Sequence, residues 1–282
     1  MVSDDLDSRL RAVPGLMVRT EEPMERHTAL RVGGPAEVWA EAADEDALNQ
    51  LLRELRDAQL KWRVHWPFGD WLVRDGGIRG AVVRLGHGFE RIALSEDTLV
   101  MGSAALWSAI PRELQGGLWD ALRKWPGSVG DLFEQGDPAQ LNGLCTAVTV
   151  QRLQGSTTLE WPTDGPPPRI GESSIITSIT MRRAAAARSW LVRPRDAGQL
   201  FEEVDDSSVG KELLRSGVLG TRLRRWRLSA TAPGTVVHLG GGTFSDLQML
   251  IKGIRVRVEK SRGVTLQTQI PVIGHEPGKR NR

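Results

Sequence analysis

The 282-residue chain has no tyrosine and a single cysteine, beside ten tryptophans and five phenylalanines. Lack of a phenol excludes any chemistry that needs one as a proton donor. One thiol, Cys145, excludes an intramolecular disulfide framework and fits a reducing compartment. It lies in an apolar run, 144–150, and is expected as a buried strand residue, not a nucleophile. Charge of one sign is missing too: 37 Lys and Arg against 35 Asp and Glu leave a net +2, far from the basic field of a nucleic-acid binder. No apolar run approaches the roughly twenty residues that span a bilayer. The start, Met1-Val-Ser-Asp-Asp5, places no cationic segment ahead of an apolar one, so no secretory signal and a cytoplasmic location are expected. The five histidines (His27, His65, His87, His238, His275) stand at no metal-ligand spacing, among themselves or with Cys145, so no metal site is expected.

What is present is an ordinary globular composition, 40% hydrophobic and 26% charged. Residues 38–42 read as a strand. Asp44 then offers an N-cap to a helix whose apolar residues Ala47, Leu48, Leu51, Leu52 and Leu55 share one face. A strand at 61–66 completes a β-α-β unit, and another follows at 80–85. Beyond residue 86 the pattern predicts strands at 98–101, 144–150, 157–161 and 175–181, a helix at 106–114, and a loop at Pro162-Thr-Asp-Gly-Pro-Pro-Pro168. A third unit starts near Trp190, with helical patches in 200–215 and a strand at 235–239. There Thr243-Phe-Ser-Asp246 resembles a capping box ahead of a helix through Leu247, Leu250, Ile251 and Ile254. A closing strand is expected at 264–272.

Three sets of residues carry a family resemblance: Thr28 with Arg31-Val-Gly-Gly-Pro-Ala36, the acidic junction at 41–46, and Leu72-Val-Arg-Asp-Gly-Gly-Ile-Arg-Gly80. In this order they resemble the first flavin-binding domain of the UDP-N-acetylenolpyruvoylglucosamine reductase (UDP-N-acetylmuramate dehydrogenase) family. Trp125-Pro-Gly-Ser-Val-Gly130 resembles that family's second flavin loop. Ala197-Gly-Gln-Leu-Phe201, Gly210-Lys-Glu-Leu-Leu-Arg-Ser-Gly-Val-Leu-Gly220 and the strand at 235–240 resemble its substrate domain. The resemblance implies an α+β fold: a two-part FAD-binding scaffold of the PCMH/VAO type plus a smaller α+β C-terminal domain. The implied boundaries are an N-terminal extension (1–20), a first flavin-type subdomain (21–86), a second (87–188), a substrate-type domain (189–275) and a basic tail (276–282). It also implies a bacterial enzyme of peptidoglycan precursor synthesis that reduces an enolpyruvyl sugar with FAD and NADPH.

Several positions depart from the family's pattern. A glycine run should hold the flavin pyrophosphate where this chain reads Trp66-Pro67-Phe68-Gly69-Asp70. Two bulky rings, a missing N–H at Pro67 and a negative charge at Asp70 all oppose a phosphate. The second loop keeps Gly127, Ser128, Val129 and Gly130 but continues Asp131-Leu-Phe-Glu-Gln-Gly136. Gln199 takes the place of the proton-donating serine, and a carboxamide is no acid near neutral pH. Gln267 and Gln269 stand where an acidic residue belongs, and Arg169 follows a proline instead of a tyrosine. These substitutions lead to the expectation of a non-catalytic homologue with no catalytic residue, no cofactor and no metal. Such a protein would act through a protein partner in cell-wall synthesis or cell division. Two rival readings stay open: an active FAD-dependent reductase with a displaced site, and a UDP-sugar sensor.

Other signals have plainer readings. Gly240-Gly-Gly242 before a helix could cradle an anion, yet lacks the lysine of a P-loop. Arg222-Leu-Arg-Arg-Trp-Arg227 interleaves cations with an aromatic, as nucleic-acid surfaces do, but also fits a solvent-facing strand with Leu223 turned inward. Trp66, Trp71, Trp119, Trp125 and Trp226 either fill the cofactor cavity or form a protein-binding patch.

Overall fold

In the computed structural model the described residues are 3–67, 71–135, 138–171, 173–183, 199–202 and 208–277. The fold is α+β and divides into two compact units. The first comprises Met1–Thr20, Glu37–Gly69 and Gly80–Arg195; the second comprises Glu21–Ala36, Asp70–Arg79 and Asp196–Arg282.

A four-stranded sheet runs β1 (Leu16–Pro23), β2 (Pro35–Ala42), β5 (Ile78–Leu85), β3 (Trp62–Val64), with β3 and β5 parallel. Helix α2 (Glu45–Asp57) starts where Asp44 accepts a hydrogen bond from the Ala47 N–H, and its five apolar residues are all buried. The β-α-β reading holds here. Helix α1 (Asp4–Arg11), capped by Ser3, forms where no helix was expected, and its Leu6 and Leu10 join the same core as α2.

An antiparallel five-stranded sheet completes the first unit: β6 (Ile92–Leu94), β7 (Thr98–Gly102), β10 (Ile175–Arg182), β8 (Cys145–Arg152), β9 (Gly155–Glu160). Cys145 is buried on β8 and its thiol donates to the carbonyls of Ala147 and Thr180, each at 3.3 Å. Burial pushes its pKa up to about 12. The helix expected at 106–114 is one 3-10 turn, Trp107–Ala109, because Pro111 supplies no N–H to continue it. The helices are instead α3 (Gly117–Arg123) and α4 (Val129–Gln135).

The second unit holds α5 (Val209–Arg215), a three-stranded sheet β11 (Arg222–Leu223), β12 (Trp226–Leu228), β13 (Val236–His238), and the long α6 (Phe244–Arg262). A short parallel pair joins β4 (Leu72–Val73) to β14 (Val272–Ile273). Of the strand expected at 264–272, only a bridge at Thr268 and the start of β14 form.

The two motif segments interlock within this unit. A Cβ on Gly34 would lie 2.1 Å from the Asp75 carbonyl oxygen, and one on Gly77 (φ +83°) would lie 2.0 Å from that of Pro35. Thr28 secures the turn before them: its hydroxyl donates to the Val32 carbonyl and accepts the Val32 N–H. Val32 and Leu72 then enter the core beside Phe201, Trp226 and Phe244. The glycines are there because backbone meets backbone.

Candidate functional site

The second glycine loop follows α3 in the first unit. Gly127 has φ +96°, and Ser128 is fully buried. Four hydrogen bonds stitch this loop to the end of β7. Gly130 N–H donates to the Ser103 carbonyl (2.8 Å) and Val129 N–H to that of Ala105 (3.0 Å). Trp107 donates from its backbone N–H to Gly127 (3.3 Å) and from its indole to the Ser128 carbonyl (3.0 Å). The small-residue run Gly102-Ser-Ala-Ala105 carried no signal in the sequence, yet its Ser103 and Ala105 carbonyls hold the loop. Its Ser103 hydroxyl is buried and has no hydrogen-bond partner among the described residues.

Of the first loop, Trp66 and Pro67 are described and buried, while Phe68, Gly69 and Asp70 fall outside the described residues. Trp66 reaches the second loop: a Cβ on Gly130 would lie 2.3 Å from Cε3 and Cζ3 of its indole. The loop runs directly into α4, which begins at Val129; there Leu132 is buried and Phe133 packs edge-on against Trp161, with ring centroids 5.9 Å apart. That bulk builds the unit's core.

Three of the four positions at which the chain departs from the family's catalytic residues, Gln199, Gln267 and Gln269, meet in the second unit. Gln199 bridges to Thr235, Glu202 N–H donates to the Gln267 carbonyl (2.9 Å), and Gln269 N–H to that of Leu200 (3.0 Å). The Gln269 carboxamide donates to the Gln199 carbonyl at 2.7 Å. The side chain of Gln199 lies over Gly234, which has φ +87°. Gln267 is exposed. Arg169 is exposed on a loop of the first unit.

The remaining signals resolve into structure. Gly242 N–H donates to His238 Nε2 (2.8 Å), and Thr243 caps α6 by accepting the Asp246 N–H (3.1 Å). Asp75 holds the Phe244 and Ser245 N–H groups, so the chain's own carboxylate occupies the anion position at this helix end. Only half of the capping box forms, because Asp246 turns to Arg224 (2.6 Å). The arginine-rich segment is a hairpin with Arg224 at φ +50°. Its Trp226 is fully buried and stacked on His238 at 4.3 Å, so it offers no face to a base. Trp66, Trp71, Trp119 and Trp125 are buried as well, so none of these five tryptophans contributes to a surface patch. Among the described residues no cluster of His, Cys, Asp and Glu could hold a metal ion, and no helix is long and apolar enough to cross a membrane.

No family model matches the chain. Individual proteins do, along almost its whole length. UDP-N-acetylenolpyruvoylglucosamine reductase 2 of Symbiobacterium thermophilum is 29% identical over 95% of this chain and 97% of its own length. The reductase of Geobacter metallireducens is 27% identical over 98% of this chain and all of its own. The crystal structure of UDP-N-acetylenolpyruvylglucosamine reductase from Thermus caldophilus superposes with a TM-score of 0.66 at 19% identity, covering 92% of this chain and all of that one.

The chain is a homologue of the UDP-N-acetylenolpyruvoylglucosamine reductases.

Two expectations from the sequence are thereby corrected. The chain was expected to be no enzyme; relatives that match it along almost its whole length are named as reductases, which overturns that expectation. It was also expected to carry no cofactor; the reductases that match it along almost its whole length, and the fold it shares with one of them, overturn that expectation. A replaced side chain is not by itself a lost function while the scaffold and its second glycine loop persist. The fit of a flavin at that loop is nevertheless poor in the conformation described. The N–H groups of Val129 and Gly130 are spent on Ala105 and Ser103, and the Trp66 ring covers Gly130.

Proposed function

We propose that the protein is a cytoplasmic FAD-dependent reductase that uses NADPH to reduce a UDP-linked enolpyruvyl sugar in peptidoglycan precursor synthesis. The observation that carries this reading is the match of 95–98% of the chain to proteins named for that activity. Residues 66–70 and 127–130 are the proposed flavin loops, and the hydrogen-bonded segments that carry Gln199, Gln267 and Gln269 belong to the proposed substrate side.

Reduction of an enol ether places a hydride on one carbon of the double bond and a proton on its neighbour. The three glutamines are neutral: they can hold a carboxylate or a water through their N–H groups and cannot release a proton near pH 7. Proton delivery in this chain therefore falls to a group outside positions 199, 267 and 269, which is the sense in which the site is displaced.

The test is NADPH oxidation by the full chain saturated with FAD, with and without UDP-N-acetylenolpyruvoylglucosamine. Substrate-dependent oxidation is expected. A flavin-saturated protein that consumes no NADPH in the presence of substrate would overturn the reading.

A further inference from the structure

We infer that Trp66 is an internal competitor of the flavin: its indole occupies the face of Gly130 that the cofactor needs, so FAD binds only when the ring is displaced. The inference rests on the FAD reading above and concerns what sets the affinity of that site.

Three observations support it. The indole lies flush on Gly130, where Cβ of any other residue would meet ring carbons Cε3 and Cζ3 at 2.3 Å and Cδ2 at 2.6 Å. Nothing in such a contact gives way cheaply, because a tryptophan ring has no flexible end to bend aside. Gly130 is thus required here by the tryptophan, without appeal to a phosphate. Second, the backbone N–H groups of Val129 and Gly130, which an anion at this loop would use, already donate to Ala105 and Ser103. Third, Ser103, whose carbonyl takes the Gly130 N–H, keeps a fully buried hydroxyl with no hydrogen-bond partner among the described residues. An unpaired hydroxyl beside a covered loop marks a packing that is satisfied in apolar contacts and unsatisfied in polar ones. A polar ligand entering beside it would reverse both.

The energetic consequence follows from a two-state equilibrium. If the ring covers Gly130 in most molecules, the apparent dissociation constant of FAD is the intrinsic one divided by the uncovered fraction. Removing the ring removes that factor. With the covered form at nine molecules in ten or more, Trp66→Ala tightens FAD binding by about tenfold or more.

The experiment is equilibrium titration of FAD, followed by quenching of flavin fluorescence, on full-length wild-type, Trp66→Phe and Trp66→Ala protein. Tightening in the order wild type, Phe, Ala is expected. Should Ala fail to give a cooperative melt, Trp66→Leu, which keeps apolar volume without the ring, takes its place. Wild-type binding at equal or greater affinity than the truncated variants would overturn the competition and leave the flavin reading intact. No FAD binding by any folded variant would overturn both. The packing has its own check in thermal melts: Gly130→Ala should destabilise the wild type and be far better tolerated beside Trp66→Ala. Equal effects in both backgrounds would mean that the ring does not press on Gly130.

Discussion

Asp75 anchors Ser245: one carboxylate oxygen accepts both the backbone N–H (3.0 Å) and the hydroxyl (2.5 Å) of a residue 170 positions later in the chain. The other oxygen accepts the Phe244 N–H at 2.8 Å, so the motif Asp-Gly-Gly holds the positive end of α6. Asp75→Ala is expected to cost roughly 2–3 kcal/mol, since it strips a charged acceptor from three donors. Asp75→Asn, which keeps one acceptor, should cost less. Chemical denaturation of both variants checks the ranking, and an unchanged midpoint for the alanine variant would refute the anchoring role.

Two glycines should respond in opposite directions to alanine. At Gly77 the new Cβ would sit 2.0 Å from the Pro35 carbonyl oxygen at φ +83°, so Gly77→Ala should cost about 3 kcal/mol or more. Gly253 lies exposed within α6 with nothing within 4 Å of its Cβ position. Gly253→Ala should stabilise by about 0.5–1 kcal/mol. Thermal melts of the pair decide whether the motif glycines serve backbone packing.

Burial of Cys145 has a pH consequence. With its pKa raised to about 12 against an ordinary 9.0, the folded protein holds the thiol proton between those values and the unfolded chain releases it. The stability this gives is complete below pH 9 and is lost as pH rises toward 12, by at most about 1.4 kcal/mol per pH unit. Denaturation between pH 8 and 11 should show a steeper loss for wild type than for Cys145→Ala. At pH 8 only about one thiol in ten thousand is ionised, so a thiol reagent should react with native protein far more slowly than with denatured protein.

If Gln199 is no proton donor, Gln199→Ala should lower kcat by less than about tenfold, well short of the 10²–10⁴ that removal of a general acid costs. Steady-state kinetics over a range of pH gives the answer. A larger loss with an altered pH profile would place an essential proton at this position.

The sequence made some of this legible for local reasons. Asp44 and the spacing from Ala47 to Leu55 specify α2 without help from the rest of the chain, and the apolar runs around Cys145 and Ile179 specify β8 and β10. Elements defined by distant partners stayed hidden. Helix α1 lay within the implied N-terminal extension because only Leu6 and Leu10 betray its buried side. The anion-like turn at Gly240 could not reveal that Asp75 would fill it. At the candidate site, the substitutions at Trp66 and Gln199 were visible as residues, while their effect on a reductase's function was not, because the ring's placement on Gly130 is a tertiary fact.

The division into two units gives the chain a peculiar vulnerability to cutting. Because Glu21–Ala36 and Asp70–Arg79 belong with Asp196–Arg282, the polypeptide passes from one unit to the other five times. A C-terminal fragment beginning at residue 196 would carry α6 without Asp75 and an apolar cluster stripped of Val32 and Leu72. The complementary fragment would display those two residues with nothing to cover them. Neither half could be prepared by a single truncation or released by a single proteolytic cleavage, and a nick in 70–79 would undo the second unit from inside the first unit's sequence.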